Sequence, residues 1–140
     1  MIMAITRFRE EYSFLSNFYP VNISYEGLNY TSVEAAFQAC KTLNPSKKLM
    51  FTGLSAKDAK IRGRLLPLRK DWERIKEGIM YELCFQKFSE NPHLKEKLLA
   101  TGDQLLVEGN RYNDTYWGMV DGVGENKLGK ILMKIREELK

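Results

Sequence analysis

A chain of 140 residues, 44% hydrophobic, 11% aromatic and 29% charged, closes one core, which excludes a disordered chain or separate catalytic and regulatory halves. No apolar run approaches the roughly 20 residues that span a bilayer and no leader pattern opens the chain, so a cytoplasmic protein without a membrane partner is expected. The formal net charge of +4 mildly favours phosphate-bearing partners but is short of the density of a dedicated nucleic-acid coat.

In chain order, Val21, Ile23 and Tyr25 alternate with polar residues, Glu26-Gly27 reads as a turn, and Leu28 and Tyr30 resume the alternation, which predicts a hairpin. Thr31-Ser32-Val33-Glu34 has capping-box spacing, and Val33, Ala36, Phe37 and Cys40 follow at helical intervals, so a helix is predicted from about 32 to 43, ended by Asn44-Pro45. Ser55 opens a short helix that Gly63 closes. Asp71 is expected to cap a longer helix carrying Ile75, Ile79, Leu83 and Phe88 inward until Asn91-Pro92 interrupts it. A helix through Leu94, Leu98 and Leu99 stops at Thr101-Gly102, and Gln104–Glu108 reads as a buried strand. A polar loop from Gly109 to about Gly124 precedes a last amphipathic helix through Leu128, Ile131, Leu132, Ile135 and Leu139. The expected fold class is α+β: a helix-rich single domain, 1–140, with a small β-sheet.

Reactive residues are scarce. One histidine and two cysteines cannot supply the usual Cys/His zinc site or a C-x-x-C redox pair, so no metal and no cofactor are expected. His93 follows Pro92 at a helix start, which points to a surface or capping role rather than a catalytic base.

Three groups of residues carry candidate chemistry. Glu34, Gln38 and Lys41 at i, i+4 and i+7 form one helical stripe about 100° from the apolar stripe, where partial desolvation brings a carboxyl and an amine toward neutrality. The alternative is that Glu34 completes the capping box and Lys41 answers the helix dipole. The polar loop concentrates Asn110, Asn113, Asp114, Tyr116 and Trp117, with Gly118 beside Trp117 offering a bare backbone to a planar ligand. Equally, Trp117 is a core plug and Asp114 a turn residue. Gly122, Gly124 and Asn126 lead into the last helix, whose free N–H groups attract anions. The basic stretch Lys57, Lys60, Arg62, Arg64, Arg69 and Lys70 suits a diphosphate or nucleic-acid backbone, or is a solvated face, and Trp72 after it is a stacking ring or a core residue.

Phe14-Leu15-Ser16-Asn17-Phe18 and the segment from Ser32 to Lys41 are followed by Ala59-Lys60, Gly63-Arg64, Trp72, Lys87-Phe88 and Thr101-Gly102. Leu106-Val107-Glu108, Asn113–Gly118 and Gly124–Gly129 complete the series. In order and spacing it resembles the NADAR (YbiA-like) family from Phe14 to Arg136. Its signatures include F-x-S-N-F and S-x-E-x-x-F-Q-x-x-K. The chain departs from the family pattern at Ala35, often His, and at Met119, often acidic.

The resemblance implies an N-glycosidase acting on a ribose C1–N bond. Its substrate would be a ribosylated or ADP-ribosylated small molecule or nucleic acid: a ribosylamino intermediate of riboflavin biosynthesis or ADP-ribosylated guanine. Lys41 would capture the opened sugar as a Schiff base, Glu34 would move protons and Asp114 would orient sugar or water. Asn17, Gln38, Arg64, Trp72, Glu108, Trp117, Gly118 and Asn126 would bind substrate. The rival readings are a non-catalytic ADP-ribose or NAD-binding module and a plain nucleic-acid binder.

Overall fold

The computed structural model describes residues 3–140. It divides into two compact units: Asn17–Lys87, and the residues up to Ser16 together with Phe88–Lys140. The class is α+β, with two two-stranded sheets.

In the unit Asn17–Lys87 the hairpin forms as its alternation predicts. Strand β2 (Ile23–Tyr25) pairs antiparallel with β3 (Leu28–Tyr30), Ile23 opposite Tyr30. Glu26 (φ 48°) and Gly27 (φ 83°) both take the left-handed conformation that a two-residue hairpin turn demands. Helix α1 (Val33–Ala39) follows, with Ser32 as N-cap accepting the Ala35 N–H at 3.0 Å. The cap is thus one residue later than a Thr31–Glu34 box requires. Thr31 instead donates its hydroxyl to the Leu54 carbonyl, and Glu34 occupies the second helical position, released from capping.

All seven residues of α1 are buried. It packs against β2, β3, α2 (Pro45–Phe51) and α3 (Ala56–Gly63). The face of α3 that meets the core consists of Ala56, Ala59 and Gly63, so little side-chain volume separates the helices. Helix α2 falls where the sequence reading placed only a stop. Asn44 accepts the Lys47 N–H and Pro45 stands in the first turn, so the pair that ends one helix nucleates the next. Helix α4 (Trp72–Ser89) buries Ile79, Met80, Leu83, Cys84 and Phe88. The Asp71 carbonyl accepts the first N–H groups of α4, while its carboxylate holds Arg69 by two bonds of 2.7 and 3.1 Å.

In the other unit, β1 (Ala4–Ile5) pairs parallel with β4 (Leu105–Leu106). The strand expected over 104–108 is only these two residues. Helix α5 (Pro92–Ala100) buries Leu94 and Leu98, and α6 (Lys127–Glu138) buries Leu128, Leu132 and Ile135, as their spacing predicts. A 3-10 helix over Glu10–Leu15 was not legible in the sequence. Among the described residues no helix is long and apolar enough to cross a membrane.

Candidate active site

Helix α1 carries Glu34 and Gln38 deeper than a core-bordering stripe would. Glu34 is 8% exposed and Gln38 6%, because α3 closes over what the pattern reads as a polar edge. The Glu34 N–H donates to the Asn17 carbonyl at 3.0 Å, tying the first turn of α1 to the F-x-S-N-F segment. Gln38 Nε2 donates to Glu34 Oε2 at 2.6 Å. In that contact Oε2 is the acceptor.

Lys41 lies past the end of α1, not on it. From Cys40 onward the N–H groups of Cys40, Lys41 and Thr42 reach the carbonyls of Phe37, Gln38 and Ala39, a 3-10 tightening that brings residues i and i+3 into one row. Lys41 therefore follows Gln38 along the same side. The carbonyls at this helix end are capped from the basic stretch: the Arg69 N–H donates to Lys41 at 2.9 Å and the Arg69 guanidinium to Cys40 at 3.5 Å. Lys41 is half-buried. Burial pushes its amine below the ordinary lysine value of 10.5, the Glu34 carboxylate opposes this, and Arg64, Lys60 and Lys76 reinforce it.

The remaining expected residues of this unit fall into two kinds. Arg64 is exposed at the end of α3, available to an anion. Asn17 is buried, its amide approaching Met80 Sδ at 3.4 Å and accepting from the Cys84 thiol at 3.7 Å. Its link to Glu34 is through the main chain and not through the side chain. Trp72 is 4% exposed and packs on Phe37 with ring centroids 5.0 Å apart, a core residue and not an open stacking ring. An exposed ring that the sequence reading did not single out is Phe18, with Lys60 Nζ 5.6 Å from its centroid. The signal was the second Phe of the F-x-S-N-F segment.

Gly63 sets the position of Gln38. A Cβ there would fall 1.9 Å from Gln38 Oε1 and 2.6 Å from Cδ. Gly63→Ala is expected to cost about 1–3 kcal/mol by overpacking and to break the Gln38–Glu34 contact. Urea denaturation checks the first effect, and recovery of stability in Gly63→Ala/Gln38→Ala checks that Gln38 is the obstruction.

A second lysine is buried more completely. Lys87 is 1% exposed, with its ammonium 5.5 Å from the centroid of the Tyr19 ring, and burial lowers its pKa to about 8. The unfolded chain then binds more protons than the folded one between about 8 and 10.5, so this group makes stability rise with pH across that window. The rise is on the order of 3 kcal/mol, and Lys87→Met should remove it, as read from denaturation midpoints at pH 7.5 and about 10. The thiols of Cys40 and Cys84 are pushed up to about 12 by burial and stay protonated at neutral pH.

In the other unit the polar loop is a hydrogen-bonded frame. Asp114 Oδ1 accepts the N–H groups of Tyr116 at 3.1 Å and Trp117 at 2.9 Å, so one oxygen builds the turn that presents the half-buried Trp117. The Trp117 ring meets Tyr116 edge-on at 5.0 Å. Asn110 links the Asp114 carbonyl to Glu108 Oε2, at 2.9 and 3.0 Å, and Tyr112 donates to Glu108 Oε1. Gly118 is bare because a Cβ would land 2.0 Å from Glu108 Oε2.

The expected anion site at the start of α6 is corrected. The N–H groups of Asn126, Lys127 and Leu128 already donate to the carbonyls of Gly118, Tyr116 and Trp117. The Asn126 side chain bridges the Leu106 carbonyl and the Glu108 N–H. This helix start locks the loop to β4, and its donors are consumed in doing so.

The model of the NADAR domain matches residues 6–140. The chain belongs to the NADAR family. Among NADAR relatives, it is 36% identical over 138 residues to an N-glycosidase of Nostoc punctiforme, covering 94% of this chain and 88% of that protein. It is 37% identical over 134 residues to the N-glycosidase YbiA of Escherichia coli, covering 93% and 83%. A riboflavin biosynthesis protein of Vibrio vulnificus is 40% identical over 136 residues, but while the match covers 93% of this NADAR chain it spans only 36% of that protein. The NMR structure of E. coli YbiA matches with a TM-score of 0.86 at 36% identity, over 99% of this chain and 84% of that one.

Proposed function

We propose that this NADAR protein is an N-glycosidase that hydrolyses a ribose C1–N bond through a Schiff base on Lys41, with Glu34 transferring protons. The observation that carries the reading is the disposition of α1 and the turn after it. A half-buried amine with a lowered pKa follows a buried carboxyl whose second oxygen is occupied by Gln38. Lys87 also has a lowered pKa, but at 1% exposure it has no room for a sugar.

In the proposed reaction Glu34 protonates the ring oxygen and the ribose opens to an imine at C1. The neutral Lys41 amine adds to C1, and the base leaves as its amine with a proton returned to it, so a C1–N bond to the base is exchanged for one to lysine. Water then adds to the lysine imine and releases the sugar and the amine. Arg64 and Lys60 attract the phosphate of the substrate while they help lower the pKa of Lys41. Within its own unit Asp114 acts as a positioning residue for Trp117. The names of the relatives and the family resemblance support two substrates: ADP-ribosylated guanine in a nucleotide or nucleic acid, and a ribosylamino intermediate of riboflavin biosynthesis.

Borohydride added during turnover of either compound should leave a sugar-sized mass adduct on the peptide holding Lys41 and none on that holding Lys87. Turnover with both peptides unmodified rejects the Schiff base. Stoichiometric binding of ADP-ribose with no product from either compound establishes the non-catalytic module instead.

A further inference from the structure

A cleft of about 710 Å³ in the unit that carries the polar loop is lined by Arg7, Arg9, Arg111, Asn110, Met119 and Asp121, among others. None of the three arginines has a part in the reaction proposed above. Arg7 and Arg9 are two apart on the chain that continues β1, and Arg9 is extended (φ −136°, ψ 164°). In extended chain such neighbours are about 7 Å apart and face the same side, a spacing suited to successive phosphates. Arg111 enters the lining from the loop, beyond the bridge that pairs Gly109 with Met119.

The balance of charge is positive. Arg7 has a carboxylate at 3.5 Å, that of Glu10, whereas no ion pair holds Arg9 or Arg111 among the described residues. Asp121 is the acidic residue of the lining. All three arginines are exposed, so the cleft is an open, multiply cationic track and not a closed pocket with buried polar walls. Guanidinium groups bind phosphate oxygens in pairs and shed their hydration readily. A ligand with charge repeated along its length gains from each arginine by releasing a counterion.

We infer that this cleft binds the phosphodiester backbone of a single nucleic-acid strand. The binding does not depend on the glycosidase reading, because it uses neither Glu34 nor Lys41. The test is fluorescence anisotropy of the full chain with a labelled oligothymidylate of about twelve nucleotides, which offers no guanine, across a salt series. Wild-type affinity should fall with salt. Arg7→Ala/Arg9→Ala/Arg111→Ala should weaken binding at least tenfold and reduce the slope of log affinity against log salt by about 2, since each phosphate contact on a single strand contributes about 0.7. Met119→Glu, which adds a carboxylate to the lining, should weaken binding with an unchanged melting temperature. Lys57→Ala/Arg62→Ala/Lys70→Ala removes equal charge elsewhere and should leave most of the affinity. The inference is overturned if wild type shows no salt-dependent binding, if the Arg7/Arg9/Arg111 variant keeps the wild-type slope, or if ADP at micromolar concentration displaces the strand.

Discussion

Replacement of Lys41 by methionine should lower turnover by about three orders of magnitude or more, because it removes the proposed nucleophile and with it the covalent route. Methionine matches the length of the lysine stem and tolerates half-burial, so the fold should survive, which circular dichroism and a melting curve would verify. Lys41→Arg should be as inactive, since a guanidinium stays protonated and cannot add to an imine. Recovery of activity in the arginine variant would show that the residue contributes charge alone. In the proposed mechanism the neutral amine is the working form, so the rate of the chemical step should rise with pH until Lys41 is deprotonated. Burial and the neighbouring cations place that limb below the ordinary lysine value of 10.5. Removing a cation should move it back up: Lys60→Ala and Arg64→Ala are each expected to shift the limb toward alkaline pH, most clearly at low ionic strength where screening is weakest.

Glu34→Gln should reduce turnover by about 10²- to 10⁴-fold, the range of general acid–base transfer. The substitution keeps size and shape, and the new amide carbonyl can still accept from Gln38 Nε2, where Glu34 Oε2 accepts at 2.6 Å. The loss therefore reports proton transfer rather than collapse of the first turn of α1. Two further readouts separate this from a structural effect. The pH profile should lose the limb that reports a carboxyl, and borohydride should trap less adduct on Lys41 because ring opening has become slow. Full turnover in Glu34→Gln would end its assignment as the proton carrier.

Much of the architecture was legible because local rules and tertiary packing agree. The alternation around Glu26-Gly27, the cap at Ser55, the stop at Asn91-Pro92 and the stripe of Leu128, Leu132 and Ile135 each correspond to an observed element. The disagreements have distinct causes. The reading of Asn44-Pro45 as a terminator overlooked that an Asn cap with Pro in the first turn also starts a helix. The two strand residues Leu105–Leu106 pair with a partner about a hundred positions away, and no local periodicity carries that information. Glu34 and Lys41 stood out by residue type and spacing, yet the spacing supposed an unbroken helix, and the 3-10 turn after Ala39 places Lys41 differently.

The sequence by itself determined the residue types of the site, the order of the helices and membership of the NADAR family, because caps, breakers and motif spacing act over a few residues. Tertiary structure decided which of those residues are buried, which are exposed and which have their hydrogen-bonding groups already engaged. Burial depends on what packs from distant parts of the chain: the small face of α3 submerges Glu34 and Gln38, and Phe37 takes up the Trp72 ring. Likewise the loop carbonyls of Tyr116, Trp117 and Gly118 consume the donors at the start of α6. A pKa or an open hydrogen-bond donor is a property of such surroundings, and the same amino acid in the same local pattern acquires it or loses it according to its neighbours in space.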